Sequence, residues 1–293
     1  MRSISIVVLA AVAVSLLGCR QKPPPEPGVA TPSVTLKSDR AALGSPIEVT
    51  YRFDVAANAP PLTEDYKVFV GFVDTDQELM WTDDHDAAVP PTQWKPGQTI
   101  EYTRTVFVPV YPYIGEAAIH MGLYSPTTQK RLTLSGTDAG QNAYTVAKIQ
   151  LLPQSENVFI VLKDGWHGPE SPPNDAHIEW QWTRKKQSTL AFKNPRKDAE
   201  FFLDLDNPSR TFPEGQHVQV KVADQVLDDF VLNEGRQLRR IPLTVAQLGA
   251  GETVELSIEV DKTFVPALLP GSTNRDSREL GVRVFHWYVQ PKK

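Results

Sequence analysis

The residues best suited to bind a ligand are three tryptophans in the second half of the chain. Trp166, Trp180 and Trp182 fall in one region. Because Trp180 and Trp182 are two positions apart, their side chains point to the same face if they lie on a β-strand. An exposed pair of indole rings would offer a flat apolar platform for sugar rings, whereas a buried pair would fill the core. The sequence leaves both interpretations open.

Polar residues in the same half could donate hydrogen bonds to sugar hydroxyls or accept hydrogen bonds from them. Asp175, Arg275 and Asp276 fall in predicted loops. Such bonds fix the orientation of a ligand, while stacking on aromatic rings excludes water. Asp204 and Asp206 share a face at the end of a predicted strand and could form a polar or Ca²⁺ site. The simpler explanation for this pair is capping of the turn that follows.

An acidic segment, 74–99, joins two predicted strands in the first half of the chain. Carboxylates are good Ca²⁺ ligands, but Leu79 stands where an EF-hand would require a glycine. The simpler interpretation is a hairpin with solvated acidic ends, and the sequence does not decide whether Ca²⁺ binds. We expect Trp81 and Trp94 to pack this segment over the domain rather than to stack on a ligand. Five aspartates could supply oxygen ligands: Asp74, Asp76, Asp83, Asp84 and Asp86.

Motifs of known catalytic machinery are missing from the sequence. There is no G-x-S-x-G, S-x-x-K, H-E-x-x-H, P-loop or G-x-G-x-x-G pattern. A pair of carboxylates for glycoside hydrolysis is a spatial arrangement, which a sequence does not reveal. We therefore expect no catalysis and no cofactor or metal, with a glycan-acting enzyme as an alternative. The histidines show no metal-ligand spacing: His85, His120, His167, His177, His217 and His286.

The only cysteine of the chain, Cys19, follows an apolar run of 14 residues, Ile4–Leu17. This run is short for a membrane span and typical of the apolar region of a signal peptide. The sequence Leu16-Leu17-Gly18-Cys19 resembles the lipobox of bacterial lipoproteins. The resemblance implies that residues 1–18 are removed, that the Cys19 thiol is lipidated and that the new amino terminus is acylated, palmitate being one such acyl group. An ordinary cleaved signal with an incidental cysteine is the alternative.

A lipid-anchored protein of the bacterial cell envelope follows from this resemblance. Several acyl chains give stable membrane anchoring. Arg20 stands where an aspartate retains enterobacterial lipoproteins at the inner membrane, so we expect the outer membrane rather than the inner one. Residues 19–32 are then a tether. Its five prolines favour an extended chain at ~3.1 Å per residue, or about 40 Å in all.

Composition indicates a globular body rich in β-structure. The 293 residues fit about two domains. Hydrophobic residues make up 41% and charged residues 22%, which argues against disorder. The net charge of −5 without a basic block argues against a nucleic-acid partner. The 25 prolines disfavour long helices, and a single cysteine leaves no disulfide to staple the fold.

Alternating apolar residues predict two β-sandwich domains, at 33–152 and 156–291. The first is immunoglobulin-like in size but lacks the cysteine pair of antibody domains. The order of segments in the second favours a jelly-roll or galactose-binding-like sandwich, with a hairpin through Ala223-Asp224 and one helical turn ended by Gly249. The clearest alternation puts five apolar residues on one face: Ile47, Val49, Tyr51, Phe53 and Val55.

Two stretches extend this interpretation by resemblance. "EWQWT" with "VDKTFVPALLPG…DSRELGVRVFHWYV" resembles a β-sandwich domain attached to bacterial glycosyltransferases and found in exported proteins. "WTDDHDAAVPPTQWKPGQTIEYTRTVFVPVYPYIGEAAIHMGLYSP" resembles a second sandwich domain of such proteins. The resemblance implies no catalytic residues, and it links the chain to polysaccharide biology only by association. We expect a structural or interaction module of the envelope, whose partner is an envelope protein; the alternative is a carbohydrate-binding surface protein for exopolysaccharide synthesis or export.

Overall fold

A computed structural model describes residues 27–110, 113–173, 178–207, 211–233 and 235–292. These residues form mainly β-strands, which confirms the predicted all-β fold class. Within the described ranges the one α-helix is the short turn Val245–Leu248, and no helix is long and apolar enough to cross a membrane. Single 3-10 turns occur at Pro91–Gln93, Gln154–Glu156 and Pro266–Leu268. The predicted signal peptide, Cys19, residues 20–26 of the tether and Asp175 lie outside the described residues.

The N-terminal half is built from two sheets. One has the strand order β1-β3-β7, and the other has the order β2-β10-β8-β4-β5, with β6 on β4 and β9 on β10. The ladder between β2 and β10 is parallel, and the other described ladders are antiparallel. The strands are β1 (Ala30–Leu36), β2 (Arg40–Ala42), β3 (Pro46–Val55), β4 (Lys67–Val73), β5 (Leu79–Thr82), β6 (His85–Asp86), β7 (Thr99–Phe107), β8 (Gly115–Tyr124), β9 (Thr137–Gly140) and β10 (Ala143–Leu152).

One apolar core joins these two sheets in a sandwich-like arrangement. β3 buries every second residue, as its alternation predicts, and Tyr51 and Phe53 are wholly removed from solvent. They share a cluster with Phe72 of β4 and with Ile119 and Met121 of β8. Burying a side chain of this size contributes about 1.5–3 kcal/mol. The core between the layers is therefore the main source of stability of this half.

The acidic segment forms the predicted hairpin with an exposed turn at 75–78, but Asp83 beyond β5 is only 11% exposed instead of solvated. It contains β5 and β6, and both strands hydrogen-bond to β4. Trp81 of β5 is buried and stacks on Phe72, with ring centroids 4.2 Å apart. Trp94 is buried against Phe53, and its indole N–H donates to the carbonyl of Val89. The two tryptophans pack the segment onto the core, as expected.

The C-terminal half also has two sheets around one apolar cluster. The five-stranded sheet has the order β11-β13-β18-β15-β16, and the four-stranded sheet has the order β12-β19-β14-β17. The strands are β11 (Ile160–Leu162), β12 (Gln181–Trp182), β13 (Gln187–Lys193), β14 (Ala199–Asp206), β15 (Gln216–Val222), β16 (Gln225–Leu232), β17 (Gln237–Leu243), β18 (Thr253–Val260) and β19 (Arg283–Pro291).

Local signals account for two connections in this half. The β15–β16 hairpin turns at Ala223-Asp224, as predicted, and Ala223 has a φ of 50°. The helix Val245–Leu248 begins at Thr244, which forms a capping box with Gln247, and Gly249 follows with a φ of 66°. Side chains at a helix start satisfy otherwise unpaired N–H groups, and glycine tolerates the left-handed backbone at the end.

Contacts between the halves surround the connection at residues 153–159. Asn157 donates to the carbonyl of Leu43 and accepts a 3.0 Å hydrogen bond from Tyr288. Phe107, the last residue of β7, stacks on His286 with ring centroids 4.2 Å apart. The described ladders between named strands lie within one half or the other. Independent folding of the two predicted domains, and their immunoglobulin-like and jelly-roll types, stay predictions.

Candidate ligand-binding surface

The outer face of the four-stranded sheet carries the predicted acidic pair. β14 points Phe201, Leu203 and Leu205 into the core. Because side chains alternate along a strand, Asp204 and Asp206 lie on the opposite face. Both carboxylates are nevertheless buried. The side chains that cover them therefore define this surface.

A β-bulge in β19 places two consecutive aromatic residues on this outer face. The ladder between β14 and β19 shifts register between Asp204 and Leu205, so Phe285 has no partner on β14. Bulges interrupt the alternation of side chains. Consequently the Arg236 guanidinium contacts both residues: it lies 3.9 Å from the centre of the Phe285 ring, and one of its nitrogens is 3.0 Å from Nδ1 of His286.

Arg283 lies among three aromatic rings. Its guanidinium carbon is 4.9 Å from the centre of Trp180, 5.7 Å from Trp182 and 4.9 Å from Phe285. Cation–π contacts of this kind stabilise by roughly 0.5–2 kcal/mol each. With the stacked pair across the junction, these side chains form one continuous surface. We define it as the aromatic strip: Trp182, Trp180, Arg283, Phe285, Arg236, His286 and Phe107.

Trp180 and Trp182 share a face, as their spacing predicts. Trp182 of β12 lies directly opposite Arg283 of β19 in the ladder, and Trp180 contacts the same guanidinium. Both indoles are half-buried. The Nε1 atom of Trp180 is buried and has no hydrogen-bond acceptor among the described residues. The pair is thus neither a fully exposed platform nor a part of the central core.

Each arginine of the strip is paired with one of the buried carboxylates. Arg283 donates two hydrogen bonds to Asp206, at 2.8 and 2.6 Å. Arg236 donates to Asp204, which His286 also contacts at 3.0 Å. Burial opposes ionisation of Asp204, but the hydrogen bonds from His286 and Arg236 outweigh it and lower the pKa of the carboxyl. The guanidinium groups are therefore held in fixed positions beside the rings.

Trp166 does not join the other two predicted tryptophans. It pairs with the buried Thr183 in an isolated bridge and lies against Trp287, with ring centroids 5.7 Å apart. Its indole N–H donates to the carbonyl of Thr189 at 2.7 Å. Both Trp166 and Trp287 pack against the C-terminal core. The predicted grouping of three tryptophans is wrong in this respect, because the bridge turns Trp166 toward the inside of the half.

The predicted loop residues lie beyond one end of the strip. Asp276 accepts hydrogen bonds from Arg278, which lower its pKa. Arg278 also donates to Glu170 at 2.5 Å, and Glu170 is the bridge partner of Trp180. Asp276 is thus connected to the strip through two ion pairs. Arg275 is exposed.

The aspartates of the acidic segment are dispersed, and four of them have separate partners. Asp74 accepts backbone N–H groups of the turn that follows it, and Asp84 accepts one from β4. Asp83 pairs with Arg104, and the exposed Asp86 lies 3.5 Å from a lysine. Over the described ranges, no group of three or more His, Cys, Asp or Glu residues is arranged to hold a metal ion.

A second polar cluster lies between the sheets of the N-terminal half. Asp83 accepts hydrogen bonds from Tyr51 at 2.8 Å and from Arg104 at 3.0 and 2.9 Å, and His85 contacts Tyr102 at 2.8 Å. Burial opposes ionisation of Asp83, but hydrogen bonds from His85 and Arg104 lower its pKa; burial raises the pKa of Tyr51. We call these five residues the inter-sheet latch. Sequence reasoning missed this latch, since its members come from separate strands.

Comparisons with known proteins do not assign the chain to a family. The sequence matches no protein family and no curated protein. Two solved structures show a distant likeness. One, named pT26-6p, has 8% identity and a TM-score of 0.24, covering 79% of this chain and 63% of its own. The other, the sporulation control protein Spo0M from Bacillus subtilis, has 12% identity and a TM-score of 0.25, covering 74% of this chain and 91% of its own.

Proposed function

We propose that this chain is a lipid-anchored lipoprotein of the bacterial envelope that acts as an interaction module rather than as an enzyme. The anchor rests on the resemblance of Leu16–Cys19 to a lipobox, and the residue after Cys19 favours the outer membrane. The observation that carries the interaction role is the aromatic strip. Tryptophan and arginine are enriched at the energetic centres of protein interfaces, and the strip combines both on one sheet face.

Two side chains of the strip are held in place before any partner binds, and this favours binding. Long side chains lose rotational freedom when a partner immobilises them, which costs roughly 0.5–1.5 kcal/mol per side chain. Arg283 and Arg236 have already lost this freedom, because Asp206 and Asp204 hold them against the rings. A partner that covers the strip therefore loses little binding free energy to immobilising these two side chains.

Photo-crosslinking in living bacteria tests this role. A photoreactive amino acid at position 182 is expected to give a discrete crosslinked product with an envelope protein. The same residue at the exposed position 193, on the other sheet, is the matched control. The product should disappear when Arg283→Ala is added. Equal products from positions 182 and 193, or a product that persists with Arg283→Ala, would contradict the proposal.

Carbohydrate binding is the second candidate, and the shared face of Trp180 and Trp182 favours it. Flat rings beside fixed hydrogen-bonding groups suit sugars. A single open site of this kind is expected to bind with a Kd of about 0.1–1 mM, or roughly −4 to −5.5 kcal/mol, and many copies on one membrane would add avidity. A glycan array distinguishes this candidate: binding that Trp182→Ala abolishes without unfolding supports it, and no glycan signal argues against it.

A further inference from the structure

The chain enters and leaves the N-terminal half at opposite ends. At the entry end, Ala56 donates a backbone hydrogen bond to Val29, just beyond the end of β3 at Val55. At the exit end, Leu43 donates to Leu152, where β10 finishes. β3 runs the whole way between these ends, and a strand of its ten residues is about 33 Å long.

The aromatic strip belongs to the exit end. Phe107 ends β7 opposite Pro46, the first residue of β3. It stacks on His286, which connects it to the strip. Arg240 of the C-terminal half pairs with Glu48, also near the start of β3. The strip and the point where the tether enters are thus separated by the length of β3.

We infer that the N-terminal half is a spacer, which holds the aromatic strip away from the bilayer so that its partner is an aqueous envelope component and not membrane lipid. This inference rests on the proposed lipid anchor. It adds to that proposal the orientation of the protein relative to the bilayer, because the lipid is attached on the side of the entry end.

Charge supports the same choice of partner. Tryptophan and arginine also favour membrane interfaces, so the composition of the strip alone would allow lipid binding. Basic residues attract anionic headgroups by roughly 1 kcal/mol each. In the strip, however, the charges of Arg283 and Arg236 are balanced by Asp206 and Asp204. The strip therefore lacks the net positive charge that a lipid-binding patch uses.

Energy transfer to labelled lipids tests this inference on the full chain, purified from bacterial membranes. The chain is reconstituted in vesicles of phosphatidylethanolamine and phosphatidylglycerol that contain an acceptor-labelled lipid. A donor dye is attached to Lys95→Cys, an exposed position at the entry end, or to Glu255→Cys, an exposed position on the five-stranded sheet. That sheet is the layer farther from the N-terminal half, because the junction contacts come from the four-stranded sheet.

The expected result is severalfold higher transfer from position 95 than from position 255. Equal transfer from both positions in a chain that floats with the vesicles would overturn the spacer inference alone. A chain that does not float with the vesicles would overturn the lipid anchor and the spacer inference together.

Discussion

Arg104 and Asp83 form a two-point ion pair that joins the two sheets of the N-terminal half, with nitrogen–oxygen distances of 3.0 and 2.9 Å. The Asp83 side chain is only 11% exposed, and Tyr51 donates to the same carboxylate. Removing one partner of such a pair leaves the remaining polar side chains without a partner between the sheets, where water has little access. We expect Asp83→Ala to lower the free energy of unfolding by about 3 kcal/mol, measured by urea denaturation.

The control for this variant is an ion pair on the surface. Asp54 accepts two hydrogen bonds from Arg52, with both side chains more than 40% exposed. Water and salt screen such pairs, so Asp54→Ala should change stability much less than Asp83→Ala. Equal losses for the two variants would show that the latch contributes no more than a surface contact.

Two depressed carboxyl pKa values predict a loss of stability in acid. Hydrogen bonds to Asp83 and Asp204 overcome burial and lower both pKa values in the folded state. Their contribution is complete above the unfolded pKa of about 3.9 and is lost as the pH falls through the folded values. Partial desolvation raises the pKa of Asp84, which gives a contribution of opposite sign. Unfolding in urea between pH 3 and 7 should show a declining midpoint below about pH 4, and Asp83→Asn should flatten that decline.

The three tryptophans should separate into two classes. Trp166 packs on the core and donates to Thr189, so Trp166→Ala should cost about 3 kcal/mol of stability. Trp182 lies on the outer face, and Trp182→Ala should cost less stability while abolishing glycan binding at the strip. Thermal unfolding and binding measured on the same samples would check this. The reverse pattern would place the binding surface elsewhere.

Arginine at position 283 should not be replaceable by lysine. Lysine keeps the charge but loses the two-point geometry and the flat stacking surface. We expect Arg283→Lys to cost about 1–3 kcal/mol, since one oxygen of the buried Asp206 loses its donor, and to change tryptophan fluorescence. Arg196→Lys, at a site with a single carbonyl contact, is the matched control. Unchanged fluorescence in the position 283 variant would argue against the arrangement of rings around this arginine.

Contacts at the junction should couple the unfolding of the two halves. The double variant Phe107→Ala, Arg240→Ala removes a ring stack and an ion pair between the halves. Scanning calorimetry should show one transition for the parent chain and two for the variant. Val161→Ala, an exposed change on an edge strand, should leave a single transition. Two transitions in the parent chain would mean that the junction does not couple the halves.

Patterns local in sequence predicted much of this fold. The alternation of β3, the turn at Ala223-Asp224 and the glycine that ends the helix at Leu248 all follow from neighbouring residues. So does the shared face of Asp204 and Asp206. In each case the physical cause is a period of two or the backbone preference of one residue.

The rest depends on partners that are distant in the sequence. The bulge at Phe285 breaks the period of two, so no alternation rule places Phe285 and His286 on one face. Trp166 turns inward because of Thr183, 17 positions away. The sequence predicts that the polar residues at the ends of β5 are solvated. It gives no local sign of the ion pair at Asp83, because the arginine in that pair comes from another sheet. Pairings of this kind are set by the tertiary fold and have no local signal.

The parallel ladder between β2 and β10 has a consequence for the order of folding. Arg40 pairs with Gln150 and Ala42 with Leu152, so the larger N-terminal sheet is incomplete until more than a hundred further residues are available. In the other half, Trp182 of β12 pairs with Arg283 of β19, which is also far away in the sequence. Contacts of long sequence separation slow folding. In a chain built like this, each half closes its sheets only after nearly all of its own residues are available.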